Sequence, residues 1–284
     1  MAIAPSELIV NPDGSIYHLN LLPEHISDLI ITVGDPDRVQ KVSQYFDEIE
    51  VKITKREFVT HTGYYKGKRI TVLSTGMGTD NIDILMNELD ALVNIDLQSR
   101  EINEEKISLK IIRIGTSGSL QEAIPLGSHL ASHHAVGIDT LMEFYALKQT
   151  ENEQSISKAL QEQLGIGFQP YCVSGSEMLL KKIAFDMIPG NTLTCPGFYA
   201  PQGRVLRGAL RNQNLLKVYQ DFKVCDFQLT NFEMETAGYY SMGRILGHEM
   251  LSLNAIVANR ITHEFATNSE EVIDSLILKV LDRI

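Results

Sequence analysis

The sequence predicts an α/β fold: a single domain over residues 1–284 in which helices flank one mixed β-sheet. Three observations predict it. Short apolar, β-branched runs alternate with segments of helical period, several of these runs pass into glycine-rich turns, and no internal repeat interrupts the alternation. Apolar residues make up 44% of the chain and charged residues 21%, the balance of a globular protein with room for a large core.

Taken in order, residues 1–28 carry turn signals at Pro5, Pro12-Asp13-Gly14 and Pro23, with a short extended piece at Ile16-Tyr17-His18-Leu19. Leu29 to Val33 reads as a buried strand. Gly34 then allows a tight turn, Asp35 is a good N-cap and Pro36 suits the first helical position, so a helix is expected to about Phe46. Strand-like pieces follow around 51–53 and 57–60, and a hairpin turn at 63–67 leads into Ile70 to Leu73. Ser74-Thr75-Gly76-Met77-Gly78 opens a helix whose stripe is Ile82, Leu85, Met86, Leu89, Leu92 and Val93. Residues 101–106 read as a charged connection without periodicity.

Ile111 to Ile114 is expected to be a strand running into a glycine-rich turn, Gly115 to Gly118, with Arg113 inside the apolar run. An arginine there fits a solvated edge strand, or the carboxyl end of a central strand where open α/β sheets bind ligands. His129 to Val136 is a further strand, and the adjacent His133 and His134 point to opposite faces, which excludes a metal pair. A helix is expected over 155–164, ended by Gly165, then short strands at 171–173 and 192–194 and a polar loop from Pro196 to Gly208. Val224 to Leu229 leads to Phe232-Glu233-Met234-Glu235 and a helix that stops at Gly247. Met250 to Val257 is the last core strand, and a helix capped by Asn268 or Ser269 closes the chain.

The net charge of -11 argues against nucleic acid or an anionic membrane as partner, so any anion site must be a local basic pocket. Cys172, Cys195 and Cys225 are odd in number and lack metal-ligand spacing, which fits a reducing compartment. The first residues carry no basic stretch ahead of an apolar core, and no apolar run reaches the ~18 residues of a membrane span. A cytoplasmic protein is expected.

Three segments converge on one anion. Arg113, the Thr116 hydroxyl and the amides around Gly115 and Gly118 form one group; Gly34 and the following helix N-terminus, with Arg38 one turn in, form another; Lys55-Arg56, which on sequence alone reads first as a solvated edge, is the third. Together Gly34-Asp-Pro-Asp-Arg38, Arg56-Glu57-Phe58, Ser74-Thr-Gly-Met-Gly78, Arg113-Ile-Gly-Thr-Ser-Gly118 and Phe232-Glu-Met-Glu235 resemble, in order and spacing, nucleoside phosphorylases of the uridine phosphorylase type. The likeness runs from about His18 to Arg260.

That resemblance implies a nucleoside phosphorylase-like fold and phosphorolysis of a pyrimidine nucleoside, with uridine and phosphate giving uracil and ribose 1-phosphate in salvage or catabolism. It implies a phosphate pocket of Gly34, Arg38, Arg56, Arg113 and Thr116. Ribose would be held by His18, Glu233, Met234 and Glu235, and the base by Phe198, Gln202 and Arg204. Arg113, Glu235 and Arg204 would carry the catalytic burden. In the family, the residues matching His18 and Arg56 come from a neighbouring subunit, so a homo-oligomer with a shared site is expected. No cofactor is expected, phosphate being a co-substrate. Some relatives hold a monovalent cation with a glutamate, a carbonyl and a serine; Glu57 and Met77 match the first two, but Asn81 stands at the serine, and no metal is expected.

Phosphorolysis needs no side-chain nucleophile, only positioning and charge stabilisation, which three arginines and a carboxylate can supply. A nucleoside hydrolase would have no use for those arginines. A purine nucleoside phosphorylase would have an aspartate where Asn259-Arg260 stands, and a nucleoside sensor would not need intact sites for all three substrate parts.

Overall fold

The computed structural model describes residues 2–284. After an irregular N-terminal segment the chain forms β1 (Leu29–Val33), α1 (Pro36–Ser43), β2 (Glu48–Lys55), β3 (Phe58–Tyr65), β4 (Lys68–Ser74) and α2 (Thr79–Asn94). A two-residue-stranded hairpin, β5 (Ile95–Asp96) and β6 (Glu101–Ile102), precedes β7 (Lys110–Ser119) and β8 (His129–Gly137). Then come α3 (Glu151–Leu164), β9 (Tyr171–Ser174), α4 (Glu177–Ile183), β10 (Ile188–Thr194) and α5 (Leu215–Asp221). The small hairpin β11 (Lys223–Val224) and β12 (Phe227–Gln228) leads to β13 (Asn231–Glu233), α6 (Thr236–Leu246), β14 (Glu249–Asn259), β15 (Glu264–Phe265) and α7 (Ser269–Arg283).

The central strands are covered on both faces, as their unbroken apolar runs require. Ile30, Leu73 and Ile111 pack on α2 and α6 through Ile82, Leu85, Leu89 and Met242. Their neighbours Ile31, Val72 and Ile112 pack on α1 and α7 through Val39, Val42, Leu276 and Val280. Such side chains each stabilise the fold by roughly 1.5–3 kcal/mol on burial.

The mixed sheet flanked by helices is as expected, but it is not open. β7 pairs in parallel with β14, β14 runs antiparallel to β8, and β8 and β10 are parallel. β10 is parallel to β13, which returns antiparallel to β7 and closes a ring. β1, β4, β3 and β2 extend from the other edge of β7.

Several local expectations change. β7 does not turn at Gly115 but runs on to Ser119, and α1 ends at Ser43 rather than near Phe46. α3 begins four residues early because Thr150 and Glu153 form a capping box. Residues 101–106 hold part of the β5–β6 hairpin, and the short helices α4 and α5 went unforeseen.

Candidate active site

Arg113 sits opposite Thr32 of β1 and Ser252 of β14, so its strand is paired on both sides and is no edge. Its side chain is 5% exposed and lies back along β7 over Gly115. A Cβ on Gly115 would come within 2.0 Å of Arg113 Nη1, so this glycine makes room for a guanidinium rather than a turn. Gly118 has the same use further along, because a Cβ there would press on the Phe232 ring at 3.1 Å.

Arg113 Nη2 donates to Glu235 Oε2 at 2.5 Å and lies 3.1 Å from Glu233 Oε2, while Nη1 reaches Asn254 Oδ1 at 3.3 Å. Burial by itself lowers the arginine's pKa, but the two carboxylates outweigh it and hold the pKa above its usual value. Glu235 is also raised, above the usual carboxylate range, by burial first and by Glu233, against the pull of Arg113. Its second oxygen accepts the Gly78 amide at 2.9 Å, which ties the start of α2 to the start of α6.

Glu233 also lines the cavity, but its oxygens are occupied. They accept the amides of Glu235 and Thr236 and the Thr194 hydroxyl. The carboxylate thus holds the first turn of α6, where negative charge is favoured.

Beside this cluster, β1 ends at Gly34 and Asp35 caps α1 by accepting the Asp37 amide. Arg38 turns back over that end and donates to the Ile114 carbonyl at 3.4 Å. Burial lowers its pKa first, and Arg113 nearby lowers it further against the pull of Asp35. Two guanidinium groups that repel one another at the head of a helix form a place where an anion relieves strain rather than adding to it.

At the far end Arg204 lies 3.7 Å from the Phe198 ring centroid and donates to Gln202 Oε1 at 2.5 Å and to the Phe198 carbonyl at 2.7 Å. Burial and the neighbouring Arg260 push its pKa down to about 10. Gln202 is buried, and Arg260 donates to its backbone carbonyl at 3.1 Å. Phe232 packs between Gly118, Arg204 and Arg260.

These groups line one cavity of about 590 Å3, which runs from Gly34, Arg38, Arg113 and Thr116 past Met234 and Glu235 to Phe198, Gln202 and Arg204. The volume suits a ligand of nucleoside size. A larger cleft of about 680 Å3 lies under the N-terminal segment, but no cationic residue lines it. Its Asp13 and Asp96 are spent on their own turns and Asp28 pairs with Lys110, which leaves the smaller cavity as the candidate site.

His18 and Arg56 do not join the others within this chain. His18 donates Nδ1–H to Glu88 at 2.6 Å and lines a separate surface cleft, which leaves Nε2 as the free ring nitrogen. Arg56 is exposed at the β2–β3 turn with φ 55°, an unfavourable conformation for a side chain of its size. Its neighbour Glu57 does line the cavity.

The profile of the phosphorylase superfamily matches residues 28–282. The chain belongs to the phosphorylase superfamily. Within that superfamily it is 30% identical over 268 residues to the uridine phosphorylase of Thermococcus kodakarensis, covering 91% of this chain and 83% of the relative. It is 27% identical over 259 residues to a DeoD-type purine nucleoside phosphorylase of Streptococcus suis, covering 89% and 91%. It superposes on the Trypanosoma brucei nucleoside phosphorylase, whose structure is described as showing uridine phosphorylase activity, with a TM-score of 0.87 and 27% identity over 98% and 100% of the chains. Its fold and enzyme class are those of these relatives, nucleoside phosphorylases, which are pentosyltransferases.

Against this superfamily fold, reading the sequence missed Phe232, Val257 and Phe265 as walls of the cavity. Phe232 was open to inference, since an aromatic residue opens its Glu-Met-Glu segment. Val257 and Phe265 gave no signal, because their place depends on how β14 joins the ring and how β15 pairs with its end.

Proposed function

We propose that this chain catalyses phosphorolysis of uridine, releasing uracil and ribose 1-phosphate. The supporting observation is the single cavity that carries paired arginines at one end and a Gln-Arg pair at the other, with a buried carboxylate between. Arg38, Arg113, Thr116 and the Gly34 amide would hold phosphate, with Met234 and Glu235 along the sugar. A phosphate oxygen then forms a bond to the anomeric carbon as the bond from that carbon to the base nitrogen breaks, its electron pair leaving with the base. Buried Glu235 favours the cationic sugar, and Arg204 meets the charge that grows on uracil.

Base selection follows from the Gln202–Arg204 pair. Arg204 fixes the amide with its carbonyl toward the guanidinium, and that carbonyl keeps a second lone pair for a ring N–H. Arg204 offers donors only, which suit uracil carbonyls and oppose the amino group of cytosine. Sites of this kind discriminate by ~10⁴-fold or more. A purine reading draws on the DeoD-type relatives, but Asn259 is spent on the Gln121 and Ile124 carbonyls and Arg260 brings positive charge. Neither can protonate a leaving purine.

The site is proposed to be shared in a homo-oligomer, with His18 and Arg56 supplied by a second copy, since neither reaches the cavity of its own chain. The reaction needs no cofactor and no metal, and is placed in cytoplasmic nucleoside salvage. Turnover of a nucleoside panel with and without phosphate tests the proposal. Uridine should be cleaved only with phosphate, cytidine hardly at all and inosine poorly. Cleavage without phosphate, or equal rates on uridine and inosine, overturns it.

A further inference from the structure

The inside of the strand ring is polar where an apolar core would be expected, and its hydrogen bonds form one continuous chain. Arg113 Nη1 donates to Asn254 Oδ1 at 3.3 Å, and Asn254 Nδ2 donates to Ser132 Oγ at 3.2 Å. Ser132 and Thr192 hydroxyls meet at 2.6 Å, Thr192 donates to Asn231 Oδ1 at 3.0 Å, and Asn231 Nδ2 donates to Ser117 Oγ at 3.0 Å. Asn254, Ser132, Thr192 and Asn231 are fully or almost fully buried, so no water competes for their bonds.

The direction of this chain is fixed from its start. A guanidinium can only donate, so the Asn254 carbonyl must face Arg113 and its amide must face Ser132. The Ser132 proton then has only Thr192 to go to, and the Thr192 proton goes to the Asn231 carbonyl. That carbonyl also lies 2.9 Å from the Thr230 hydroxyl, which has the Asn191 carbonyl at 3.1 Å as a second acceptor, so turning Asn231 over strands the Thr192 donor. Its amide is held against Ser117.

Ser117 is 4% exposed and lines the same cavity as Arg113, four residues along the same strand. Its oxygen accepts from Asn231, and among the described residues it has no other hydrogen-bond partner. We infer that the ring interior is a one-way hydrogen-bond relay that fixes the Ser117 hydroxyl as a donor into the cavity, toward an acceptor oxygen of the bound nucleoside, with Asn231 as the residue that positions it. Thr116 stands on the phosphate side of Ser117, and Gly118 against Phe232 on the base side, which sets that acceptor near the join of sugar and base. The relay rests on the proposed reaction and adds to it a donor set by the sheet itself.

The test is a double-mutant cycle on uridine phosphorolysis. Ser117→Ala should lower kcat/KM for uridine by roughly 3- to 10-fold, the effect of one net hydrogen bond. Its KM for phosphate should be unchanged, and Ser117→Thr, which keeps the hydroxyl, should recover most of the lost kcat/KM. Asn231→Asp keeps the acceptor for Thr192 and Thr230 but presents an oxygen to Ser117, whose proton turns inward. It should cost as much as Ser117→Ala, and nothing further when made in the Ser117→Ala background. If Asn231→Asp does not fold, Thr192→Val removes one of the two hydroxyls holding Asn231. Its smaller loss should likewise vanish without the Ser117 hydroxyl. Losses equal in both backgrounds, no loss in Ser117→Ala, or a raised KM for phosphate would each overturn the relay. Failure of wild-type protein to cleave uridine with phosphate would instead overturn the proposed reaction.

Discussion

Replacing Arg113 by methionine removes the cation and keeps an unbranched chain of similar volume over Gly115. In the native protein the guanidinium lies 2.5 Å from Glu235 and 3.1 Å from Glu233, and all three side chains are buried. Removing one partner of such a cluster costs about 3–5 kcal/mol, because charge is left without compensation. At about 2–4 °C per kcal/mol for a chain somewhat shorter than this one, Tm should fall by roughly 6–20 °C near neutral pH. The loss should depend on pH with a definite sign. Glu235 is already raised above its ordinary value of 4.5, by burial first, and loss of Arg113 raises it further. Above pH 4.5 the folded state then holds the proton that the unfolded state releases, so the variant loses stability as pH rises toward the folded pKa. Thermal denaturation should show the gap to wild type widening from pH 5 to pH 8. In steady-state assays kcat/KM for phosphate should drop by about 10²–10³, the effect of losing one preorganised donor to a transition-state anion. An unchanged phosphate KM and kcat, or a Tm gap that narrows with rising pH, would refute this account of Arg113.

Gly115→Ala should leave the fold intact but displace the guanidinium by placing a Cβ within 2.0 Å of Nη1, raising the phosphate KM about tenfold for an overpacking cost of ~1–3 kcal/mol. A normal phosphate titration in that variant would show that Arg113 does not need its place over the glycine. Mixing inactive Arg56→Ala with inactive Arg113→Met chains should restore part of the activity in mixed oligomers, and no recovery after confirmed mixing would count against a shared site. Glu153→Gln tests the fold away from the cavity. Burial pushes the Glu153 carboxyl up, but hydrogen bonds from Arg244 and the Thr150 and Ser174 amides outweigh it and bring the pKa to about 2. Its contribution is present above about 4.5 and lost as pH falls toward 2, so wild-type and variant Tm should converge over that window; parallel curves would contradict it.

Much of the site was legible because it breaks local rules. Arg113 stands in an apolar run and Arg38 follows a helix N-terminus, and an anion site was one reading that accounted for both. What could not be read was how the same residues are used. Gly115 and Gly118 look like a turn in the sequence, yet they sit inside β7 as clearance for Arg113 and Phe232. Glycine serves both needs, and only the approach of distant side chains tells them apart. Closure of the ring was hidden for a similar reason, since β7 and β14 are 139 residues apart at the Arg113–Ser252 contact and no local pattern encodes their pairing. The Thr150–Glu153 capping box, by contrast, was there to be read.

Charge supports the proposed sharing of the site between two copies. Arg113 is outweighed by Glu233 and Glu235, so that buried cluster by itself repels phosphate. Arg38 brings the local charge only to neutrality. Three arginines were expected to gather a dianion, and the two that meet in this chain are matched by two carboxylates. A third cation would add net attraction for a dianion to the hydrogen bonds that Arg38 and Arg113 offer. Arg56 is presented on an exposed hairpin turn, in a backbone conformation costing of order 1–3 kcal/mol, and does not reach its own cavity. In the proposed shared site, Arg56 of a second copy would supply that cation. In the proposed reaction the glutamates that weaken the phosphate end of a lone chain are the same groups that would favour a cationic sugar, so that chemistry would call for the arginine of a second copy.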